Sequence, residues 1–396
     1  MVNNMKSITV FVTEECNLRC SYCFIEKEPR EMSWETAKAS VDFLIKNSGD
    51  NKEVTVCYFG GEPMLKWDLI KKTTLYAEQE AGKLGKVARF SITTNGCVLP
   101  DDFIDFTYKQ RSNMGVLLSV DGDQEVHDRN RLTVGGTGSF HLLKRTLEEL
   151  LKVDRWREGG TLRMTFTKST TTELLRSLTY FYDLGIKNIA CIAVEEESYN
   201  EEELDTLRTS LQEVALYYIN QYRMGSPRYF KLFDDAIKQS ISEVTRFKKQ
   251  RMIKCGYGLG KVAIAADGNL YPCHRMASYD KLAQVYCEGN IYSRHNPKVN
   301  IIPFEINNRA DGDFCSTKDG KCESCPIRLS CGAGCTALNY EQTGDLFCRP
   351  ESSCNIRILS YEVACGIDRM LRDEKNELYM KNFYPTRSAG NNTKQS

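Results

Sequence analysis

Six short apolar runs recur along the first half of the chain, and each is rich in β-branched or aromatic residues. They are nearly continuously apolar, which is typical of strands buried on both faces. Amphipathic stretches separate several of them, including residues 34–46, 68–84, 140–153 and 173–184. The predicted strands are Ile8–Thr13, Val54–Phe59, Arg89–Thr94, Gly115–Val120, Leu162–Thr167 and Asn188–Val194. This alternation predicts an α/β fold with right-handed βαβ units and a parallel sheet. Because a closed barrel has eight such units, we expect a partial (β/α)6 TIM-like barrel, open on one side.

The pattern changes after residue 200. Residues 201–250 are rich in helix formers, whereas residues 255–355 are rich in Gly and Cys and show little periodicity. A segment of that kind cannot build a large apolar core, so we expect metal to stabilise it. Residues 356–382 predict a closing helix. The resulting divisions are a barrel (1–235), a linker helix (236–254), an irregular metal-stabilised domain (255–360) and a C-terminal helix with a disordered tail (361–396).

Composition and charge exclude several classes of protein. The 396 residues include 53 Lys and Arg and 53 Asp and Glu, so the net charge is zero. A neutral chain is not expected to coat nucleic acid or an anionic membrane. No apolar run approaches the roughly 20 residues of a membrane span, and the N-terminus lacks the pattern of a signal peptide. We therefore expect a cytoplasmic protein with no nucleic-acid or membrane partner.

Cysteine is the unusual component, with 17 in a chain that has no export signal. Disulfides are disfavoured in a reducing cytosol, which leaves metal or cluster ligation, catalysis and ordinary buried thiols. Cys16, Cys20 and Cys23 form CNLRCSYC directly after the first predicted strand, where sites in α/β proteins gather. Three thiolates on a four-iron cluster would leave one iron open to a ligand. The alternatives are a zinc site with a distant fourth ligand and three incidental thiols.

The C-x3-C-x2-C spacing resembles the signature of the radical S-adenosylmethionine (SAM) enzymes, and the resemblance covers about residues 7–200. Polar motifs at other strand ends support it. They are Gly60-Gly61-Glu62-Pro63, Thr93-Thr94-Asn95-Gly96 and Ser119-Val120-Asp121-Gly122, the last of which leads to His127 and Arg131. Each motif is also a good turn sequence, so turn formation alone is the alternative.

The resemblance implies a set of cofactor contacts. Tyr22 would contact the adenine, and the loop of Gly60, Gly61 and Glu62 would receive the amino group of SAM. Glycines allow close approach of backbone to a ligand, and a carboxylate can accept a hydrogen bond from an ammonium group. On the ribose or carboxylate side of SAM, the resemblance places Asn95, Ser119 and Arg131. We expect His127 to be a structural hydrogen bonder.

A second field of cysteines follows residue 250 and resembles the SPASM domain, which carries two auxiliary four-iron clusters. The field contains Cys255, Gly268-x4-Cys273, Cys322-x2-Cys325-x5-Cys331-x3-Cys335, Cys348 and Cys354. A zinc ribbon would explain the paired cysteines but not the Gly268-x4-Cys273 element. The resemblance therefore assigns residues 255–360 to a SPASM domain.

The same resemblance implies two ligand sets. Cys255, Cys273 and Cys335 would hold the first auxiliary cluster, and Cys322, Cys325, Cys331 and Cys354 the second, with Cys348 competing for the place of Cys354. The fourth ligand of the first cluster is left open between Cys315, Cys287, Cys348 and a substrate thiolate. Together with the cluster at Cys16, Cys20 and Cys23, this makes three [4Fe–4S] clusters.

The resemblance also implies a reaction. Enzymes of this type reductively cleave SAM to a 5′-deoxyadenosyl radical, which abstracts a hydrogen from a substrate, here expected to be a precursor peptide or protein. An external flavodoxin- or ferredoxin-like protein would donate the electrons. Sulfatase-maturing relatives carry Asp directly after the cysteine of Gly-x4-Cys, whereas this chain has His274, a candidate catalytic residue.

The presence of His274 where the sulfatase-maturing relatives have Asp favours a maturase that forms Cys sulfur-to-carbon thioether crosslinks in a ribosomally made peptide. Carbon–carbon crosslinking and formylglycine formation are alternatives within the class. The alternative of another class is a zinc-stabilised binding protein without enzymatic activity.

Overall fold

A nine-stranded sheet forms the centre of the molecule. The computed structural model describes residues 4–109, 113–245, 260–278, 280–293, 322, 324–327, 331 and 334–385. The strands are β1 (Ser7–Thr13), β2 (Glu53–Gly60), β3 (Val87–Thr94), β4 (Met114–Ser119), β5 (Thr161–Phe166), β6 (Asn188–Ala193), β7 (Tyr229–Phe230), β8 (Lys261–Ile264) and β9 (Leu270–Tyr271). Their order is β7-β6-β5-β4-β3-β2-β1-β8-β9. All neighbours pair in parallel except β8 and β9, which are antiparallel.

Helices follow most of the strands. They are α1 (Trp34–Asn47), α2 (Trp67–Lys83), α3 (Gln124–Asn130), α4 (Phe140–Leu151), α5 (Asp154–Gly159), α6 (Leu174–Asp183), α7 (Glu201–Arg223), α8 (Lys231–Thr245), α9 (His274–Ser278), α10 (Asp280–Tyr286), α11 (Thr336–Thr343), α12 (Glu351–Asp373) and α13 (Glu377–Phe383). Local sequence explains where they begin. The side chain of Ser33 accepts from the backbone of Thr36 at the start of α1, and Asn200 and Glu203 form a capping box at the start of α7. Such caps satisfy amide groups that the helix leaves free.

The two faces of the central strands differ. In β2, Val54, Val56 and Tyr58 are buried beneath the helices, whereas the alternating residues Cys57 and Phe59 are half-buried and face inward. The same alternation occurs in β3, where Ser91 and Thr93 face inward. The expectation of strands buried on both faces is therefore too simple, because small and polar side chains on the inner face leave a cavity.

The predicted α/β partial barrel is confirmed. All six predicted strands are present as β1–β6 in consecutive parallel order, and the four amphipathic stretches form α1, α2, α4 and α6. The sheet is longer than expected because β7 extends one edge and β8 and β9 extend the other. Their short runs of two to four residues carry too little periodicity to be recognised from sequence.

The C-terminal part contains more regular structure than its irregular sequence predicts. The closing helix, expected over 356–382, consists of α12 and α13, which are separated at Lys375, whose φ is 51°. Helix α12 packs along α7 and α8, and Arg223 at the end of α7 pairs with Glu374. These contacts hold the C-terminal helices against the barrel.

The domain boundaries stay predictions. Residue 235 lies inside α8 and residue 360 lies inside α12, so neither division coincides with a break in a helix. The predicted linker helix over 236–254 overlaps α8 as far as Thr245. Its remainder, Cys255, Cys315 and the predicted disordered tail from residue 386 lie outside the described residues. Among the helices that the structure does describe, none combines the length and apolarity needed to cross a membrane.

Candidate active site

The inner face of the sheet encloses a cavity of about 450 Å³. Strands β1–β6 and the loops at their carboxyl ends contribute to its walls. The cavity wall includes Cys16, Cys20, Tyr22, Cys23, Gly60, Gly61, Glu62, Asn95, Ser119, Arg131 and His274. The structure thus brings together the first cysteine motif, all the predicted cofactor contacts and the candidate catalytic residue, although they are spread over more than 250 positions of the chain.

Hydrogen-bond donors surround the thiols of the first motif. The backbone N–H of Leu18 donates to Cys16 Sγ at 3.4 Å, and Lys27 Nζ donates to Cys23 Sγ at 2.8 Å. Asn95 Nδ2 lies 3.7 Å from Cys16 Sγ. Donors of this kind stabilise thiolates that bind metal. Burial raises the pKa of the Cys20 thiol to about 11, so a cluster would have to displace its proton.

The described cysteines are all free thiols. Within the same residues, no three His, Cys, Asp or Glu side chains converge closely enough to hold one metal ion. The ligands of a four-iron cluster each bind a different iron, so they need not converge on one point. This result therefore does not argue against a cluster, and the ligand role of Cys16, Cys20 and Cys23 stays a prediction.

The two glycines of the second strand end allow two backbone segments to touch. A Cβ on Gly60 would lie 2.0 Å from the carbonyl oxygen of Thr13, and one on Gly61 would lie 2.0 Å from that of Glu15. Gly60 also has φ +125°, a conformation that favours glycine. The two glycines thus let this loop pack against the chain that enters the cysteine loop. Their contact with the amino group of SAM stays a prediction.

Glu62 organises the neighbouring strand end. Its carboxylate accepts from Thr94 Oγ1 at 2.6 Å, from the backbone of Asn95 at 2.7 Å and from the backbone of Met64 at 3.0 Å. Burial raises the pKa of Glu62, and these donors oppose that shift. The observed contacts give Glu62 a positioning role, because they hold Asn95 beside Cys16. Direct contact of Glu62 with a cofactor stays a prediction.

Asp121 is the residue that sequence reasoning missed. It appears in the sequence only as part of an Asp-Gly turn, yet it is 1% exposed and accepts from Tyr22 Oη at 2.5 Å. It also forms a two-point ion pair with Arg131, with Nε at 2.9 Å and Nη2 at 3.1 Å. The backbone of Thr165 donates to it at 2.9 Å. Asp121 thus fixes two predicted cofactor contacts, Tyr22 and Arg131, against β5.

His127 is a fully buried neighbour of Asp121. Its Nδ1 accepts from the backbone of Asp121 at 3.5 Å, and Nε2 lies 3.1 Å from Ser139 Oγ, which donates to the carbonyl of Arg131 at 2.6 Å. Burial and the nearby Arg131 lower the pKa of His127 to about 3, so the imidazole is neutral. These contacts agree with a structural role.

A model of the radical SAM superfamily matches residues 10–207, half of the 396 residues. The chain belongs to the radical SAM superfamily. Membership implies a [4Fe–4S] cluster and S-adenosylmethionine, and the thiols and polar groups of the cavity provide the donors for both. It also decides against the alternative of a zinc-stabilised protein without enzymatic activity.

Individual proteins resemble this chain at low sequence identity. The chain is 24% identical over 354 residues to the cysteine-type anaerobic sulfatase-maturating enzyme of Clostridium novyi (strain NT), covering 84% of this chain and 88% of that enzyme. It is 23% identical over 340 residues to the subtilosin biosynthesis protein AlbA of Bacillus subtilis (strain 168), covering 83% of this chain and 66% of AlbA. The solved structure of native anSMEcpe with bound AdoMet and Cp18Cys peptide aligns with a TM-score of 0.73 and 18% identity, covering 93% of this chain and 99% of that one. This last similarity shows a shared fold.

In this radical SAM enzyme, His274 begins α9 and reaches the cavity from the C-terminal part. Its ring centroid lies 4.9 Å from that of Phe59 and 6.1 Å from that of Phe24. The next residue, Arg275, pairs with Glu196 at 2.9 Å. Burial, together with the nearby Arg275 and Arg163, lowers the pKa of His274 to about 4. The position that the sulfatase-maturing pattern gives to Asp therefore holds a half-buried neutral ring between aromatic side chains.

The cysteines predicted for the second auxiliary cluster lie near one another. Burial raises the pKa of the Cys354 thiol to about 11, the guanidinium of Arg349 lowers it, and the thiols of Cys331, Cys322 and Cys325 raise it. These influences place all four thiols in one electrostatic neighbourhood. Cys354 reaches it because α12 begins at Glu351, earlier than predicted. Their role as ligands stays a prediction.

The cysteines predicted for the first auxiliary cluster are only partly described. Cys273 and Cys335 pack against the same small apolar cluster, which includes Phe347. Cys348 follows Phe347 directly, and its carbonyl accepts from Thr343 Oγ1 at 3.0 Å. This placement keeps Cys348 as a candidate fourth ligand. Cys255 and Cys315 lie outside the described residues.

Proposed function

We propose that the protein is a radical SAM peptide maturase that joins a cysteine sulfur to a carbon of a ribosomally made precursor peptide. The observation that carries this proposal is the environment of His274, which lies in the cavity between Phe24 and Phe59. A carboxylate at this position would favour the sulfatase-type reaction. The relatives also support action on peptides or proteins, since one is named a sulfatase-maturating enzyme and another a bacteriocin biosynthesis protein.

The electrons and atoms of the proposed reaction balance. The first motif would hold the cluster that supplies the electron for cleavage of SAM to methionine and a 5′-deoxyadenosyl radical, and the C-terminal cysteines would hold the acceptor for the electron released on crosslinking. The peptide carbon loses a hydrogen atom to the 5′-deoxyadenosyl radical, and the cysteine thiol loses a proton. The peptide therefore loses two hydrogens in total. A flavodoxin- or ferredoxin-like donor provides the first electron.

The residues of the cavity have separate tasks in this proposal. Cys16, Cys20 and Cys23 would hold the cluster, and Lys27 and Asn95 orient the sulfurs of Cys23 and Cys16 respectively. Asp121 holds Tyr22 and Arg131 in place on the cofactor side. The aromatic wall around His274 shields the peptide carbon from water and holds it within reach of the radical.

Mass spectrometry of a modified peptide tests the proposal. The reconstituted enzyme is incubated with SAM, a chemical reductant and a cysteine-containing peptide encoded beside its gene. The expected product has lost two hydrogens, and its cysteine no longer reacts with an alkylating reagent. The same peptide with Cys replaced by Ala is the control, and it should remain unmodified.

Each alternative reaction predicts a different product. A carbon–carbon crosslink also removes two hydrogens but leaves a cysteine that can be alkylated. Formylglycine formation gives an aldehyde that reacts with a hydrazide. Either product would overturn the thioether proposal while leaving the enzyme class intact.

A further inference from the structure

One arginine projects into the cavity from the middle of β5. Arg163 is paired in register with Ser119 on β4 and with Ala190 on β6, and it lines the same cavity as the first cysteine motif. Its neighbours on the inner face are small, since Ser119 and Thr165 flank it. The long side chain of Arg163 thus stands among shorter side chains on the wall of the cavity.

The charges around Arg163 are unbalanced. Arg131 forms its ion pair with Asp121, and Arg275 forms one with Glu196. Glu62, the other carboxylate of the cavity wall, already accepts from three donors. In the part of the chain that the structure describes, Arg163 forms no ion pair. Burial lowers its pKa, and the neighbouring Arg275 and Arg131 lower it further. An anion bound beside Arg163 would balance this excess of positive charge.

We propose that Arg163 binds a carboxylate inside the cavity. A guanidinium group binds a carboxylate through two parallel hydrogen bonds, which gives both strength and orientation. The carboxylate has two sources in this enzyme, an acidic residue of the substrate peptide and the amino-acid part of SAM. The peptide source rests on the proposed function, whereas the SAM source requires only membership in the superfamily. Binding measurements separate the two without depending on which crosslink is formed.

The test compares the affinities of reconstituted wild-type and Arg163→Gln enzymes. The probes are SAM, a cysteine-containing peptide with one Glu, and the same peptide with Gln in its place. A peptide source predicts that the variant binds the Glu peptide at least about tenfold more weakly, since hydrogen bonds to charged groups are worth that much. The Gln peptide and SAM should then bind with unchanged affinity. A SAM source predicts the same loss for SAM alone.

Controls keep the result interpretable. Arg89→Gln replaces an exposed arginine near the start of β3, away from the residues that line the cavity, where it pairs with Glu53, and should change none of the affinities. If Arg163→Gln does not fold, Arg163→Lys is the second variant; it keeps the positive charge but loses the two parallel hydrogen bonds, and should weaken binding of the same probe. Unchanged affinities in a folded Arg163 variant overturn the proposal.

A second, independent observation concerns Arg349, which is 2% exposed. Its Nη1 donates to Cys331 Sγ at 3.1 Å and its Nε donates to Ser353 Oγ at 2.8 Å. Glu195 lies 3.6 Å from Nη2. The backbone makes room for this side chain, because a Cβ on Gly334 would lie 2.8 Å from the guanidinium. A buried cation beside a thiol is costly, and the carboxylate of Glu195 is the anionic partner that offsets part of this cost.

We infer that Arg349 raises the reduction potential of the cluster that Cys331 would ligate, an inference that rests on the predicted second auxiliary cluster. A positive charge and a hydrogen bond to a ligand sulfur both stabilise the more negative, reduced state of a cluster. Glu195, the counter-charge at the end of β6, has the opposite effect. Arg349 is a positioning residue, since it acts through Cys331, the predicted cluster ligand, and not on the substrate.

A redox titration of the reconstituted protein, followed by electron paramagnetic resonance, tests this inference. Arg349→Gln should lower the midpoint potential of one cluster and leave the iron content unchanged. Arg372→Gln, at the other end of α12 and paired with Asp368, should shift none. If Arg349→Gln loses iron, Glu195→Gln provides the second test and should raise one potential. Unchanged potentials in variants with full iron content overturn the inference.

Discussion

At the residue scale, the wall of the cavity that carries Tyr22 and Arg131 depends on Asp121. This carboxylate is buried and holds Tyr22, Arg131 and the backbone of Thr165. A buried charge is stable only when its partners are arranged around it, and removing one partner leaves the other unpaired. Asp121 therefore contributes to both the stability of the fold and the shape of the site.

The Asp121→Asn variant tests this role. It leaves the guanidinium of Arg131 buried without its counter-charge, so we expect the free energy of unfolding to fall by about 3–5 kcal/mol. Urea denaturation followed by circular dichroism measures the change. Asp154→Asn removes an exposed partner of Arg157 and should cost less than about 1 kcal/mol. Equal effects of the two substitutions would contradict the central position of Asp121.

Replacement of His274 separates radical generation from peptide modification. His274→Ala leaves the three thiols of the first motif and the contacts of Asp121 unchanged, so 5′-deoxyadenosine should still form. Crosslinked peptide should fall by on the order of 100-fold, because the group that faces the substrate is lost. Chromatography of both products measures the ratio. His141→Ala, at an exposed position of α4, is the matched control, and a full yield of crosslink in His274→Ala would refute the assignment.

At the element scale, the entry to the cysteine loop depends on contact between two backbone segments. We expect Gly60→Ala and Gly61→Ala each to lower the iron content at the first motif by at least half, because each new Cβ would lie 2.0 Å from a carbonyl oxygen. Gly82→Ala is the matched control, since nothing lies within 4 Å of its Cβ. In helix α2 this change should be neutral or stabilise by up to about 1 kcal/mol. Iron analysis decides, and normal iron content in both loop variants would contradict the steric argument.

The start of α8 predicts a dependence of stability on pH. Burial raises the pKa of Asp234 to about 7, and the backbone of Phe230 donates to its carboxyl at 2.8 Å. The unfolded chain ionises this group near its ordinary pKa, while the folded chain keeps the proton up to about pH 7. Ionisation of Asp234 therefore favours the unfolded state, and its contribution to stability falls as pH rises towards 7.

Asp234→Asn removes this dependence while its amide oxygen can still accept from Phe230. Relative to wild type, the variant should gain about 1.4 kcal/mol of stability for each pH unit between 5 and 7, with no further gain above pH 7. Urea denaturation at several pH values measures the difference. Between pH 5 and pH 8 the difference in stability should therefore grow by about 3 kcal/mol. A difference that does not vary with pH would show that Asp234 ionises normally in the folded protein.

At the scale of the whole molecule, sequence predicted the barrel well because its strands are repeated, local patterns. The motif CNLRCSYC and the strand-end motifs are also local, so their placement around one cavity followed from the parallel topology alone. Contacts between distant residues could not be predicted in this way. Tyr22 and Asp121 are 99 positions apart, and β8 pairs with β1 across some 250 positions. Neither pairing leaves a periodic signal in the sequence.

The surroundings of Arg163 and of the cysteines in the C-terminal part could not be predicted from sequence for the same reason, because they depend on contacts between distant residues. Arg163 interrupts an apolar run, and only the sheet shows that it faces the cavity and not the helices. Cys354 approaches Cys331 because α12 begins at Glu351, and helix starts are among the least certain features of a sequence pattern. The cysteine spacing indicated the kind of chemistry, whereas the neighbours of each thiol required the fold.

Two adjacent carboxylates join the parts of the molecule. Beyond the end of β6, Glu195 contacts Arg349 and Ser353 of the C-terminal part, and Glu196 pairs with Arg275 at the cavity. The barrel therefore holds the segment that supplies His274 and the segment that carries the second set of cysteines. This connection fixes both of them relative to the cavity.

The central claim is that the cavity is a radical SAM active site built on Cys16, Cys20 and Cys23. The most direct test is the formation of 5′-deoxyadenosine from SAM by anaerobically reconstituted enzyme with a chemical reductant. We expect 5′-deoxyadenosine from wild type and from Cys191→Ala, whose buried thiol lies in β6, and none from Cys16→Ala, Cys20→Ala or Cys23→Ala. Cleavage of SAM that survives loss of all three cysteines would contradict the central claim.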